Sequence, residues 1–142
     1  MMKVISRGLV SLLLVSLLTG CVTDSRSEIL ATDKSQVQLR AIQTRVFDTT
    51  DRAETFRAAI ATLQDLGFII DKADDSLGTI SATKMAGYVM RITVTVRPRG
   101  ARQVAVRASA QYNLNAVSDA APYREFFAAL EKAMFLTANE VD

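Results

Sequence analysis

Residues 90–97 read Met-Arg-Ile-Thr-Val-Thr-Val-Arg, and residues 104–112 read Val-Ala-Val-Arg-Ala-Ser-Ala-Gln-Tyr. Both stretches alternate between apolar and more polar side chains. Successive side chains of an extended strand point to opposite faces, so each stretch predicts a strand with one buried and one wet face. Pro98-Arg99-Gly100 supplies turn-forming residues between them. The pair therefore predicts an antiparallel sheet that is buried on one side only.

The stretch before this hairpin predicts a helix. Asp51 stands three residues before Glu54, which resembles a capping box, and Gly67 is well placed to end the helix in a left-handed conformation. Apolar residues between them recur at spacings of three and four, which gives one apolar helical face: Phe56, Ala59, Ile60, Leu63 and Leu66.

Three more strands and a second helix complete the predicted order. Strands are expected at about Gln38–Phe47, at Phe68–Ile70 before a polar turn, and at Gly78–Lys84. Pro122 is a favoured first helical residue, and the stretch after it predicts the last helix. The order β-α-β-β-β-β-α predicts a two-layer α+β domain, an antiparallel sheet with two helices on one face.

This order of elements resembles the TBP-like, or helix-grip, class of α+β domains. The nearest local likeness runs from Leu63-Gln64-Asp65-Leu66-Gly67-Phe68-Ile69-Ile70 to Leu77-Gly78-Thr79-Ile80-Ser81-Ala82. It is similar to domains of the lipoprotein C subunit of the outer-membrane β-barrel assembly machinery, and to small envelope lipoproteins. The resemblance covers about residues 38–138, implies a fold and brings no catalytic residues with it.

The first 20 residues have the features of an export signal. Lys3 and Arg7 form a positive head, and residues 9–18 form an apolar run of about ten residues. A helix that crosses a bilayer needs about 20 such residues, so this run is too short to span and has the length of a signal-peptide hydrophobic region.

Leu18-Thr19-Gly20-Cys21 resembles the lipobox of bacterial lipoproteins. The resemblance implies that the Cys21 thiol receives a diacylglyceryl group and that a peptidase cleaves between Gly20 and Cys21. Val22 stands where aspartate favours the inner membrane, so the outer membrane, on its periplasmic side, is the expected location. The predicted organisation is a signal peptide over 1–20, a lipidated flexible tether over 21–37, and one domain over 38–142.

Charge and composition exclude several classes of function. Lys3 and Arg7 account for two of the 17 basic residues, so the 15 that remain balance the 15 acidic residues. This balance gives no support to nucleic-acid binding. Histidine is absent and Cys21 is the one cysteine, so the usual bases, thiolates and zinc ligands are missing. We expect neither an enzyme, a cofactor nor a bound metal.

The acidic cluster Asp71, Asp74 and Asp75 lacks the ligand spacing of an EF-hand loop and is interpreted as a solvated turn.

Five arginines cluster on the predicted hairpin: Arg91, Arg97, Arg99, Arg102 and Arg107. One hypothesis makes them a docking surface for an acidic partner, a lipid headgroup or peptidoglycan. The alternative is a solvated sheet face, on which such residues discourage edge pairing. The leading expectation is a non-enzymatic accessory or scaffold lipoprotein that binds another component of the cell envelope, most simply an envelope protein.

A second hypothesis is a carrier of lipid or another apolar ligand, held between the last helix and the sheet. Its candidate groove residues are Met85, Tyr88, Phe126, Phe127 and Met134. Residues of this kind also cover the end of an ordinary core. An apolar hollow of several hundred Å³ would favour the carrier, whereas a filled core beneath a charged open sheet would favour docking.

Overall fold

Helices cover one face of an antiparallel sheet in the computed structural model, which describes residues 35–139 of the chain. These residues form three helices and six strands. In chain order they are α1 (residues 35–43), β1 (Thr44–Phe47), α2 (Arg52–Asp65), β2 (Ile69–Asp74), β3 (Thr79–Met85), β4 (Val89–Arg99), β5 (Gln103–Tyr112), β6 (Asn115–Ala116) and α3 (Ala121–Asn139). The predicted class, a two-layer α+β fold with an antiparallel sheet, is confirmed.

The strands lie in the order β1-β5-β4-β3-β2, and the short β6 also pairs with β5. The β4–β5 hairpin is the centre of this sheet, with a continuous register from Met90 opposite Tyr112 to Arg99 opposite Gln103. The predicted alternation is confirmed along it. Residues that face the helices are buried: Met90, Ile92, Val94 and Val96 of β4, and Val104, Val106, Ala108 and Ala110 of β5.

Local signals set the bounds of α2. The Asp51 side chain accepts a hydrogen bond from the backbone N–H of Glu54 (2.8 Å), which satisfies one of the donors that a helix start leaves free. Gly67 has φ +83° and follows the helix end, as predicted. Phe56, Ala59 and Leu63 are buried against the sheet, and the apolar face of α2 is therefore the predicted one.

The strand predicted over Gln38–Phe47 is wrong in its first part, because residues 35–43 are helical and only Thr44–Phe47 is a strand. Most of this stretch consists of good helix formers such as Gln, Leu, Arg and Ala, which its alternating apolar residues obscured. Leu39 and Ile42, three residues apart, pack against the core from one side of α1. Residues 35–37, assigned to the tether, are part of this helix, and residues 21–34 lie outside the described range.

Two smaller differences concern the sheet. Strand β2 continues through the stretch interpreted as a turn, with a register shift between Ile70 and Lys72, and the turn itself follows Asp74. Strand β6 has only two residues and was not predicted. Both differences depend on pairing with a neighbouring strand, which the local pattern of a short segment does not encode.

The core lies between the helices and the inner face of the sheet. Phe126, Phe127 and Leu130 of α3 are at most 2% exposed and meet the valines of β4 and β5. Within the described range, no helix is both long enough and apolar enough to cross a membrane.

Candidate functional site

The sheet has one face without helices, which we call the open face. Its central part consists of the outward side chains of β4 and β5, and their identity follows from the register and from the alternating burial. From β4 they are Arg91, Thr93, Thr95 and Arg97, and from β5 Ala105, Arg107, Ser109 and Gln111. This surface is rich in guanidinium and hydroxyl groups.

The structure brings three of the five predicted docking arginines onto this face. Thr95 pairs with Arg107, and Arg97 with Ala105, so Arg97 and Arg107 are diagonal neighbours on adjacent strands. Such neighbours have Cβ atoms roughly 7 Å apart. Arg91 lies on β4 six residues before Arg97, about 20 Å along the strand.

The other two predicted arginines lie at the hairpin end. Arg99 is the last residue of β4, and Arg102 belongs to the turn that follows. Both are exposed. They extend the positive charge beyond the face without lining it.

No acidic residue occurs in β1, β4 or β5. The one ion pair within the described part of the chain joins Arg52, the first residue of α2, to Asp75, in the turn between β2 and β3 (3.0 Å). Asp48, which follows β1, accepts a hydrogen bond from the Gln103 side chain (2.7 Å). Arg97 and Arg107 therefore keep their positive charge uncompensated by an ion pair with a carboxylate of the described chain.

The open face is concave. One cavity of about 500 Å³ is lined by Arg97, Arg107 and Ala105 and by the hydroxyl residues Thr44, Thr93, Thr95 and Ser109. A second cavity of about 180 Å³ adjoins it and contains Arg91, Asp71 and Gln111. Thr93 and Ser109 line both cavities, so together they form one depression along the strands, which we call the trough.

A buried hydrogen-bond network holds one end of Arg107. The Arg107 guanidinium donates to the Gln43 side-chain oxygen (3.3 Å), and the Gln43 amide donates to the Tyr123 hydroxyl (3.2 Å). That hydroxyl also donates to the carbonyl of Val117 (2.7 Å) and accepts from the N–H of Ala110 (3.2 Å). Gln43 is 4% exposed and Tyr123 fully buried, so Arg107 is tied to the rigid core.

Gln43 and Tyr123 were not among the predicted site residues. The sequence predicts a strand at Gln43, and nothing in its neighbours in the sequence indicates that its side chain is buried. Tyr123 lies 80 positions away along the chain. A buried tyrosine usually needs a partner for its hydroxyl, and this is the one signal that could have pointed to the network.

The structure brings together only some of the predicted groove residues. Tyr88 and Phe126 line a cavity of about 80 Å³ between the sheet and α3. Phe127 is buried in the core, Met134 packs at its margin, and Met85 is 76% exposed at the end of β3. At this end of the core, the residues that the structure describes therefore leave only a small space between α3 and the sheet.

The acidic turn is held by its own hydrogen bonds. The Asp74 carboxylate accepts from the Ser76 hydroxyl (2.6 Å) and from the Leu77 N–H (3.0 Å), and these bonds lower the pKa of Asp74 from its ordinary value. Asp75 pairs with Arg52, and Asp71 accepts from the Thr83 hydroxyl (2.6 Å). Each of the three carboxylates therefore has a hydrogen-bond or ion-pair partner within the protein, in or beside the turn.

No group of three or more histidine, cysteine, aspartate or glutamate residues within residues 35–139 could hold a metal ion. Gly20 and Cys21, the predicted cleavage and lipidation site, lie outside that range. Comparison of the whole sequence with known protein families and with curated proteins gave no match.

Proposed function

We propose that the chain is a non-enzymatic lipoprotein, anchored through Cys21 to the periplasmic side of the bacterial outer membrane, whose domain binds another component of the cell envelope. The binding surface in this proposal is the open face. The domain acts as an accessory or scaffold, and its lipid anchor keeps it beside the partner.

The observation that carries the proposal is the contrast between the two sides of the sheet. Among the described residues, the cavity between α3 and the sheet measures about 80 Å³, whereas the open face has a cavity of about 500 Å³ lined by Arg97 and Arg107. Pockets for small ligands usually measure about 300–1,000 Å³. The carrier hypothesis needs a cavity of this size between α3 and the sheet. The larger cavity on the open face favours docking there instead.

The export signal and lipobox of residues 1–21 support the anchor in this proposal. A domain with balanced charge, tethered to a membrane, meets its partners at a high local concentration. Weak individual contacts then suffice for stable association.

Photo-crosslinking in intact cells tests the proposed surface. A photoreactive amino acid at Thr93 or Ser109 should form a crosslink to one discrete envelope protein, and the same group on the helix side at Glu131 should not. Glu131 is a suitable control because it is exposed on α3.

The triple variant Arg91→Gln/Arg97→Gln/Arg107→Gln should reduce the crosslink at Thr93 by about tenfold or more, because charge-assisted hydrogen bonds are among the stronger polar contacts. The matched variant Arg40→Gln/Arg57→Gln/Arg124→Gln removes the same charge from exposed helical positions and should leave the crosslink intact. Equal crosslinking by both variants would contradict binding through the open face.

A further inference from the structure

The trough has a charge gradient along its length. Its larger part lies beside Arg97 and Arg107 and has no carboxylate in its lining. Its smaller part contains Arg91 together with Asp71, so the local charge there is balanced. A ligand that matches this gradient carries its negative charge at the Arg97–Arg107 end.

The two arginines at that end are close enough to repel each other. Arg97 and Arg107 are diagonal neighbours, and two positive side chains at this spacing repel each other unless an anion lies between them. Arg107 cannot simply swing away without giving up its hydrogen bond to the buried Gln43. The guanidinium group is planar and suits the paired oxygens of a carboxylate or phosphate.

The length of the trough favours an extended ligand with several charges over a single small anion. Arg91 and Arg97 are about 20 Å apart along β4, a distance that an extended polypeptide covers with about six residues. A single carboxylate or phosphate group reaches only one end. Between the two ends the floor consists of Thr93, Thr95 and Ser109, whose hydroxyls can donate hydrogen bonds to backbone carbonyls.

We propose that the trough binds an extended acidic segment of a partner polypeptide, lying along β4 and β5 with its carboxylates between Arg97 and Arg107. This inference rests on the proposed function and names the chemistry of the partner. The segment lies on the face of the sheet, so its recognition depends on side-chain contacts and not on an added strand.

Fluorescence anisotropy with the purified mature lipoprotein in non-ionic detergent tests this proposal. The probe is a fluorescein-labelled hexaglutamate peptide, and the matched probe is hexaglutamine. Hexaglutamate should bind and hexaglutamine should not, and the affinity should fall as salt is added, because exposed charges are screened. Equal binding of the two peptides would overturn the proposal.

Variants then locate the peptide. Arg97→Gln/Arg107→Gln should weaken hexaglutamate by about tenfold or more, whereas Arg57→Gln/Arg124→Gln should leave it unchanged. Arg91→Gln should weaken hexaglutamate but not diglutamate, because the shorter peptide does not reach from Arg97 to Arg91. Thermal unfolding of each variant verifies that the fold is retained.

Two further outcomes would overturn the proposal. In one, Arg91→Gln has no effect on either peptide, or a single glutamate competes as well as the hexapeptide, so that the site holds only an isolated anion. In the other, the protein lacking its lipid anchor binds phosphatidylglycerol vesicles through the same arginines but does not bind hexaglutamate. The ligand of the arginines would then be a lipid headgroup and not a polypeptide. If arginine-dependent crosslinking in cells persists without peptide binding, the proposed function stands and the acidic segment is wrong.

Discussion

At the scale of single residues, the Tyr123 hydroxyl connects parts of the chain that are distant in the sequence. It joins Gln43 of α1, Ala110 of β5 and the carbonyl of Val117 in one buried cluster. On its edge away from β4, β5 has no strand partner from Ala108 to Ala110, between the stretches paired with β1 and β6. The hydroxyl therefore satisfies the N–H of Ala110, a backbone group that the sheet leaves unpaired.

Tyr123→Phe tests this role. The substitution keeps the ring but leaves a buried N–H, a carbonyl and an amide without their partner, so we expect the free energy of unfolding to fall by about 2 kcal/mol. Tyr88→Phe is the comparison, since Tyr88 is 49% exposed, and it should cost less than about 0.5 kcal/mol. Urea denaturation of both variants measures the difference. Equal losses would show that the network contributes nothing beyond the ring.

At the scale of elements, the turn between β2 and β3 packs closely against β4. The N–H of Val96 donates to the carbonyl of Gly78 (2.8 Å), and the Cα of Gly78 lies directly beside the carbonyl of Val96. Gly78 also has φ +62°, a conformation that favours glycine. This close approach of two backbones joins the start of β3 to the part of β4 beside Arg97, at the opposite end of the strands from Asp71 and Arg91.

Gly78→Ala should therefore be costly for two reasons, the positive φ and the overlap of the new Cβ with the Val96 carbonyl oxygen. Substitution of Gly100 distinguishes the two contributions, because Gly100 has the same φ of +62° but open space where a Cβ would lie. Gly100→Ala should cost about 1–2 kcal/mol through conformation alone. Gly78→Ala should cost about 2 kcal/mol more, because the backbone of β4 must move. Similar denaturation midpoints for the two variants would contradict the close approach.

At the scale of the whole molecule, the sheet divides the domain into a packed side and a polar concave side. The predicted tether and lipid anchor would hold this domain at a membrane with the open face available to a partner. Two or more acyl chains on one terminus give effectively stable membrane attachment, because each buried CH₂ contributes about 0.8 kcal/mol.

Cys21→Ser tests the anchor. Without the thiol there is no acceptor for the diacylglyceryl group, so we expect an uncleaved precursor that retains residues 1–20 and incorporates no labelled palmitate. Intact-mass analysis and metabolic labelling measure both changes. Ser25→Ala, a few residues further on, should be processed and labelled normally. Recovery of mature, membrane-bound protein from the Cys21→Ser strain would refute lipidation at this residue.

The hairpin of β4 and β5, the capped helix α2 and the α+β class could be predicted from the sequence, because each is encoded by a local period or by capping residues close together in the chain. Local pattern also showed that Arg91, Arg97 and Arg107 share the outer face. It could not show that the face is concave, that Arg107 is tied to Gln43, or that residues 38–43 are helical. Curvature, burial of a polar side chain and the choice between helix and strand in an ambiguous stretch all depend on contacts between distant residues. Those contacts exist only once the sheet and its helices have packed together.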